Sequence, residues 1–262
     1  VKKEAEFVIR DIVNSLDRGD DDWKQVKGIG YREEGREIIN PDYPYIMNLD
    51  ELPIPDRKFL PAAVDYYNPI IKYIPWTTAL SSRGCPSQCT YCTSPDYYGP
   101  HYRARSAENV VKEIVYLQEA GYKEIFYRDE LFTVDKKRVF DICDLIIRNR
   151  IKMSWICSAK ASTVNFEMLK KMKQAGCRVI RVGVESGVQQ ILDNVKKGVK
   201  LEQITNLFEW TNQLKIETHA HLMLGMPGET EDTIKQTFEY IKRIKPTTVT
   251  YGIMTPYPGS KI

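Results

Sequence analysis

Residues 83–92 read Arg83-Gly84-Cys85-Pro86-Ser87-Gln88-Cys89-Thr90-Tyr91-Cys92. The spacing Cys-x3-Cys-x2-Cys brings three thiols from one short loop to a single site. Thiolates are the ligands of iron–sulfur clusters, and three of them leave the fourth iron of a [4Fe-4S] cluster open to an outside ligand. A structural zinc site completed by His101 is the alternative, but zinc sites usually space their ligands as two separated pairs. The pattern therefore favours a cluster held by Cys85, Cys89 and Cys92.

This loop follows the first of six strand-like segments, which alternate with amphipathic helices. The predicted strands are residues 77–82, 124–128, 153–158, 179–184, 217–224 and 248–254. The predicted helices are residues 107–120, 136–148, 166–174, 201–213 and 231–244. Such alternation is typical of βαβ units and a parallel sheet. Six strands predict an α/β fold with a partial (β/α)6 TIM-like barrel over residues 76–262, and an open doubly wound sheet is the alternative. In both folds ligands bind at the carboxyl ends of the strands.

The residues before the barrel divide into two parts. Residues 3–16 carry an apolar stripe of helical period, and residues 25–31 and 36–39 flank a Glu-Glu-Gly turn that predicts a hairpin. One helix and one hairpin cannot bury a core, so residues 1–40 are interpreted as the C-terminal remnant of an α/β domain. Ten of the fourteen prolines lie between residues 41 and 100, which predicts a Pro-rich linker over residues 41–75.

Composition and charge exclude several classes of protein. The chain has 38 basic and 35 acidic residues, a net charge of +3, without a block of like charges that would indicate nucleic-acid binding. The interpretation of five lysines is that they are solvated helix and loop positions, with phosphate binding as the minor alternative: Lys170, Lys171, Lys173, Lys196 and Lys197. No apolar run is long enough to span a membrane. A cysteine triplet in an enzyme-sized chain indicates a reducing compartment, and we expect a cytoplasmic protein. Cys143 and Cys177 are expected in the core, and Cys157 is a weak candidate for the cavity.

Several stretches together resemble one family over nearly the whole chain. They are residues 49–55 with Leu-Pro-Ile-Pro, the cysteine loop, residues 128–133, residues 183–187 with Gly-Val-Glu-Ser-Gly, residues 225–230 with Gly-Met-Pro-Gly-Glu-Thr, and residues 256–260. These motifs, in this order along the chain, resemble those of the radical S-adenosylmethionine (SAM) superfamily. The similarity is greatest to the group whose barrel follows a cobalamin-binding domain, which includes methyltransferases and magnesium-protoporphyrin ester cyclases.

The resemblance implies the cofactors and partners. It implies a [4Fe-4S] cluster at the three cysteines, SAM on its open iron, and cobalamin in the full-length protein. The cluster would cleave SAM reductively to a 5′-deoxyadenosyl radical, with electrons from an external donor such as flavodoxin or ferredoxin. The partner is a small-molecule substrate that the sequence does not identify, and no nucleic acid is expected. Under this resemblance residues 1–40 would be the end of the cobalamin-binding domain.

The resemblance also assigns SAM contacts. They are Tyr91 beside the adenine, Asp129 and Glu130 near the SAM ammonium, Glu185 at the ribose or methionine end, and Met223 with Gly225 as an apolar adenine wall. For Met223 simple core packing is an equal alternative, and for the two residues after the second strand a helix-entry carboxylate is the alternative. Ser186 and Gln189 form a predicted capping box, which leaves Glu185 free for function.

Other positions carry no assigned role. Lys160 stands where the related pattern often has arginine, and lysine lacks the bidentate fork for the SAM carboxylate. His219 and His221 alternate and are expected on one face, but a pair of histidines does not establish a catalytic base. The sequence identifies no catalytic residue.

Three functions remain open at this point. The preferred one is cobalamin-dependent methyl transfer or a related C–H functionalisation or cyclisation by a radical SAM enzyme. The second is a radical SAM oxidoreductase without cobalamin. The third is a zinc-stabilised binding module without catalysis. Site details, which differ between proteins of one fold, decide among them.

Overall fold

The computed structural model describes residues 1–61, 66–99 and 101–262, which form ten strands and eight α-helices. The strands are β1 Gly30–Glu33, β2 Arg36–Ile39, β3 Trp76–Ala79, β4 Ser82–Arg83, β5 Arg103–Ala104, β6 Glu124–Tyr127, β7 Ser154–Ala159, β8 Cys177–Glu185, β9 Glu217–Leu224 and β10 Thr248–Ile253. The helices are α1 Glu6–Arg18, α2 Ser94–Tyr98, α3 Ala107–Glu119, α4 Lys136–Arg148, α5 Phe166–Gln174, α6 Gln189–Asn194, α7 Leu201–Leu214 and α8 Glu231–Ile244. No helix among these residues has the length and apolarity needed to cross a membrane.

Six strands form one parallel sheet in the order β10-β9-β8-β7-β6-β3. Five helices, α3, α4, α5, α7 and α8, share one large core with the outward side chains of the strands, among them Trp155 and Ile180. The inner face has a separate small core of Phe126, Ile156 and Val179, to which the described helices contribute nothing. Helices on one face only make this sheet a half barrel. The predicted partial TIM-like barrel is therefore confirmed, and the doubly wound alternative, with helices on both faces, is wrong.

The helices of the barrel begin and end where the sequence predicts. Ser106, Asp135, Asn165 and Thr230 cap α3, α4, α5 and α8, since each side chain accepts a hydrogen bond from a backbone N–H of the first turn. After α3 and α5 the chain turns through Gly121 and Gly176 at φ 88° and 94°. Glycine adopts this left-handed conformation without steric cost.

The first predicted strand of the barrel differs from the structure. It ends at Ala79 instead of residue 82, and β4 then pairs antiparallel with β5, so that Ser82 faces Ala104. Asp129 stabilises the bend, because its carboxylate accepts hydrogen bonds from Ser81 N and Oγ at 2.7 and 2.5 Å. The short elements β4, β5, α2 and α6 were not predicted, since two to six residues carry no readable periodicity.

The connector between hairpin and barrel is fastened to the outside of the barrel. Asp50 accepts from Ser106 N at 2.9 Å, and Arg57 donates to Glu113 at 2.6 Å and to Thr78 O at 2.9 Å. The predicted linker includes residues 62–65, which lie outside the described residues. The described part is a packed segment that fixes the start of α3.

The N-terminal segment consists of α1 and the β1–β2 hairpin, as predicted, although β1 begins at Gly30 and not at residue 25. Glu4 lies before α1 with its side chain 3% exposed, and it pairs with Arg83 at 3.2 Å and Arg103 at 2.9 Å. Both arginines flank the cysteine loop. The start of the chain therefore braces the strands that carry the cysteines.

Candidate functional site

Cys85, Cys89 and Cys92 line one cavity of about 290 Å³ together with side chains from the ends of the barrel strands. All three thiols are half-buried. The polar walls are Tyr91, Glu130, Lys160, Arg181, Glu185, Lys197 and His221. Because the strands are parallel, their carboxyl ends meet at this edge. The cavity is therefore placed where an α/β barrel binds its ligands.

The backbone holds the cysteine loop in a narrow conformation. Gly84 has φ 81°, and a Cβ there would lie 2.3 Å from the carbonyl oxygen of His101. Thr90 N donates to Val195 O at 3.0 Å, and Ser94 N donates to the sulfur of Cys92 at 3.4 Å. The loop is thus fixed against β5 on one side and against the end of α6 on the other.

The surroundings of Cys92 disfavour its thiolate form. Burial raises the pKa of Cys92, and the neighbouring Cys89 and Cys85 raise it further, whereas the Ser94 N–H and Lys197 lower it. Burial also lowers the pKa of Lys160, which the nearby cysteines partly oppose. Three thiolates in one half-buried loop are costly unless cations compensate them. Metal at the sulfurs would supply that compensation.

The donor set lacks the fourth ligand that the zinc alternative requires. Within residues 1–61, 66–99 and 101–262, no three His, Cys, Asp or Glu side chains converge on a position for one metal ion. His101, the fourth ligand of the zinc alternative, is exposed and does not line the cavity. A zinc ion needs all ligand atoms roughly 2.0–2.3 Å from one centre, whereas cluster thiolates bind separate irons.

Glu185, Tyr91 and Lys197 form a buried trio beside the cysteines. Glu185 Oε1 accepts from Tyr91 Oη at 3.0 Å and from Lys197 Nζ at 2.7 Å. Burial, Glu185 and Cys89 raise the pKa of Tyr91 far above its usual range. Burial lowers the pKa of Lys197, but Glu185 and Cys89 outweigh it and the net shift is upward. Tyr91 therefore stays protonated and Lys197 stays charged.

The backbone aims this carboxylate at the cavity. Glu185 has φ 62°, a conformation that non-glycine residues seldom adopt, and the register of β8 against β9 shifts between Gly183 and Glu185. A Cβ on Gly183 would lie 2.4 Å from Glu185 Oε1 and 2.6 Å from Lys197 Nζ. The ion pair therefore occupies the space that Gly183 leaves empty.

The two acidic residues after β6 have different surroundings. Glu130 lines the cavity, burial raises its pKa, and its Oε2 has no hydrogen-bond partner among the described residues. Asp129 is 2% exposed and both oxygens accept from Ser81 and Ser82. Asp129 does not line the cavity and instead positions the turn that leads to the cysteines. Of the two residues that the resemblance assigned to the SAM ammonium, only Glu130 lines the cavity.

Met223 and Gly225 lie next to the cavity and do not line it. Met223 packs with Tyr91 against Ile191 and Met226. Gly225 has φ 85°, and its N–H donates to the Glu229 carboxylate. Their place is an apolar wall behind Tyr91.

Two cations of the site were not found from the sequence. Lys197 was interpreted as solvated, but its side chain is only 12% exposed and it forms the ion pair with Glu185, so that interpretation is wrong. Arg181 lies in the middle of β8, and the sequence assigned it no role. Lys160, which the sequence placed where related proteins often have arginine, donates to Ser87 Oγ of the cysteine loop at 3.0 Å. No local pattern in the sequence marks Lys197, because its burial follows from the ion pair with Glu185 in the folded chain.

Other expectations for the site region have mixed outcomes. His219 and His221 share the inner face as predicted, with ring centroids 4.5 Å apart. Cys157 is fully buried in the outer core and does not reach the cavity. The capping box is wrong, because α6 begins after Val188 without a side-chain cap, and Gln189 bonds Asp193 and Val199 O instead.

Comparison with known proteins gives concordant matches. Residues 80–241 match the radical SAM superfamily. An uncharacterized methyltransferase of Pyrococcus horikoshii is 32% identical over 100% of this chain and 56% of the relative. The anaerobic magnesium-protoporphyrin IX monomethyl ester cyclase of Rubrivivax gelatinosus is 26% identical over 100% of this chain and 48% of the relative. The chain thus spans about half the length of the curated relatives that it matches.

Solved structures show the same fold at low sequence identity. The radical SAM methyltransferase TsrM from Kitasatospora setae, with cobalamin and a [4Fe-4S] cluster bound, has a TM-score of 0.81 and 18% identity over 100% of this chain and 52% of its own. The cobalamin-dependent radical SAM enzyme OxsB, with aqua-cobalamin and SAM bound, has a TM-score of 0.76 and 22% identity over 99% of this chain and 43% of its own.

Proposed function

Because the chain belongs to the radical SAM superfamily, we propose that it serves cobalamin-dependent methyl transfer, or a related C–H functionalisation or cyclisation, on a small-molecule substrate. The observation that carries the proposal is the convergence of three thiols, two carboxylates and two lysines on one cavity at the strand ends. The names of the relatives, a methyltransferase and a cyclase, support this range of reactions.

The side chains of the cavity divide between cluster and SAM. Cys85, Cys89 and Cys92 would hold a [4Fe-4S] cluster, which supplies one electron to the SAM sulfonium and thereby breaks its C5′–S bond. Lys160 and Lys197 line the same cavity as the cysteines, and their positive charges suit the carboxylate of SAM. Glu130 presents a buried carboxylate oxygen without a partner, which suits the SAM ammonium, and Glu185 with Tyr91 suits the ribose and adenine.

We propose that cobalamin binds next to this site in the full-length protein. A second cavity of about 750 Å³ lies between α1, the connector and β3, and Leu49, Leu52 and Leu60 give it an apolar wall. Arg128 lines it from the inner face of the barrel. The cobalamin that two structural relatives contain supports the assignment of this cavity to the corrin. A radical SAM oxidoreductase without cobalamin is the alternative, and it predicts no cobalamin binding by the full-length protein.

The partners follow from the chemistry. Reduction of the cluster needs a one-electron donor, and flavodoxin or ferredoxin is the proposed class. Free thiols and a reducible cluster favour the cytoplasm.

The first prediction tests the cluster and its reaction. Protein reconstituted without oxygen should contain about four irons and four sulfides per chain, and with dithionite and SAM it should release 5′-deoxyadenosine. Cys89→Ala should lose most of the iron and all of the product. Cys143→Ala, at a fully buried cysteine outside the cavity, is the matched control and should keep both. Stoichiometric zinc without sulfide would contradict the proposal, and a full cluster without 5′-deoxyadenosine would contradict the reaction.

A further inference from the structure

Two arginines lie on the inner face of the barrel below the cysteine cavity. Arg128 and Arg181 stand two residues beyond Phe126 and Val179, so they point to the same face one level nearer the strand ends. Their guanidinium carbons lie 4.8 and 5.0 Å from the centroid of the Phe126 ring. The two cations are therefore held within about 10 Å of each other. Arg181 lines the cysteine cavity, and Arg128 lines the larger cavity beside it.

Neither arginine forms an ion pair with a carboxylate of the described residues. Five other arginines with little exposed surface, Arg57, Arg83, Arg103, Arg105 and Arg178, each pair with a glutamate. The buried Arg138 has no carboxylate partner in the described part of the chain but donates to the carbonyl oxygens of Arg105 and Ser81. Burial and the proximity of Arg128 lower the pKa of Arg181 to about 10. A half-buried cation beside a second cation is unfavourable unless an anion compensates it. Among the described residues, no carboxylate compensates the charges of Arg128 and Arg181.

Two neutral histidines, His219 and His221, lie beside Arg181 on the inner face of the barrel. Burial and Arg181 lower the pKa of His219, and they lower that of His221 to about 4. Arg181 Nη2 lies 2.8 Å from His221 Nε2. Arginine only donates, so Nε2 accepts and the ring proton is on Nδ1. His219 contacts the hydroxyls of Thr248 and Thr250 at 2.7 and 3.0 Å. His221 therefore orients the guanidinium and adds no charge of its own.

The geometry points to a substrate-anion site in which Arg181, oriented by His221 and assisted by Arg128, binds a carboxylate or phosphate group of the substrate. This inference rests on the proposed function, because it places the substrate beside SAM. The SAM carboxylate itself has Lys160 and Lys197 near the cysteines. Arg181 precedes Glu185 by four residues along β8, and its guanidinium contacts His221 and the Phe126 ring, whereas Lys197 pairs with Glu185. A planar guanidinium also matches the paired oxygens of a carboxylate or phosphate.

Equilibrium dialysis of cluster-loaded protein against radiolabelled inorganic phosphate, with saturating SAM present, tests the site. Wild-type protein should bind one phosphate per chain, and Arg181→Met should bind it about tenfold more weakly or worse, since a charge-assisted hydrogen bond is lost. Arg128→Met should show a smaller loss, and because Arg128 is exposed this variant tests the site even if Arg181→Met is unstable. Arg148→Met, at an exposed arginine of α4, should bind like wild type.

Unlabelled acetate separates the two anions. If acetate displaces phosphate at similar concentrations, the group is a carboxylate, and if it does not, the group is a phosphate. Absence of phosphate binding, or equal binding by wild type and both site variants, would overturn the site. A loss of SAM affinity in Arg181→Met as large as the loss of phosphate affinity would reassign Arg181 to SAM. Release of 5′-deoxyadenosine by wild-type protein is measured in parallel, so failure of the radical reaction is distinguished from failure of the anion site.

Discussion

At the scale of single residues, the two carboxylates of the cavity differ in what surrounds them. Glu185 already has a cation and a phenol as partners at 2.7 and 3.0 Å. Glu130 has a buried oxygen without a partner among the described residues, and burial, together with the nearby Asp129, raises its pKa. An incoming ammonium would therefore improve the environment of Glu130, whereas at Glu185 it would compete with Lys197. Glu130 is the stronger candidate for the SAM amino group.

Replacement of Glu130 by Gln should weaken SAM binding about tenfold or more, because it removes a charge-assisted hydrogen bond from a buried site. A raised pKa means that this carboxyl group takes up a proton at a higher pH than an ordinary glutamate. Wild-type affinity for SAM should therefore decline as the pH falls through the raised pKa, and the Gln variant should lack this decline. Calorimetric titration of cluster-loaded protein with SAM across pH measures both effects.

Glu33→Gln, in an exposed ion pair of the hairpin, is the control for the Glu130 measurement. An unchanged SAM affinity in Glu130→Gln at all pH values would show that Glu130 is structural.

At the scale of elements, the sequence predicted the long helices and strands of the barrel but not the short elements β4, β5, α2 and α6. Helix caps such as Asp135 and glycine stops such as Gly121 are local signals that act within one turn, so the helix bounds followed from sequence. The pair β4–β5 joins residues about twenty positions apart in two-residue strands, and the buried carboxylates of Asp129 and Glu4 hold these strands in place. Burial of Lys197 depends on the β8 bulge that turns Glu185 inward. Such contacts arise from tertiary structure and leave no periodic pattern.

Gly84→Ala should displace the cysteine loop, because its Cβ would lie 2.3 Å from a backbone oxygen that cannot move independently. Gly121→Ala is the matched control, since Gly121 has a similar positive φ of 88° and no atom within 4 Å of the added Cβ. The control should lose about 1–2 kcal/mol from left-handed strain alone and keep its iron. Gly84→Ala should lose more stability and most of the iron, as measured by denaturant unfolding and iron analysis. Equal stability and iron in the two variants would show that the loop tolerates the contact.

At the scale of the whole molecule, the segment before the barrel and the cysteine loop are one mechanical unit. Glu4 accepts from Ile46 N at 2.8 Å and pairs with Arg103 and Arg83. Arg83 also pairs with Glu6 at the start of α1. The sequence predicted residues 1–40 as a remnant of another domain, and its charge pattern gave no indication of these buried pairs, because the partners lie some eighty to one hundred residues apart. We propose that this brace transmits the position of the N-terminal segment to the cluster.

Glu4→Gln is the change that tests this brace. The variant keeps the shape of the side chain but leaves Arg103 without its carboxylate and Arg83 with Glu6 alone, and both arginines are buried. Removing one partner of a buried ion pair costs about 3–5 kcal/mol, since the remaining charge stays desolvated. We therefore expect the free energy of unfolding to fall by about that amount, and the variant to lose its cluster to a chelator faster than wild type does.

Glu37→Gln, which breaks an exposed pair with Arg32, is the control and should change neither quantity, because surface pairs contribute little. Chemical denaturation gives the first quantity and the rate of iron release to a chelator gives the second. A destabilised variant with an unchanged rate of iron release would show that the N-terminal segment stabilises the fold without bracing the cysteine loop, and an unchanged stability would show that Glu4 is not a structural partner of either arginine.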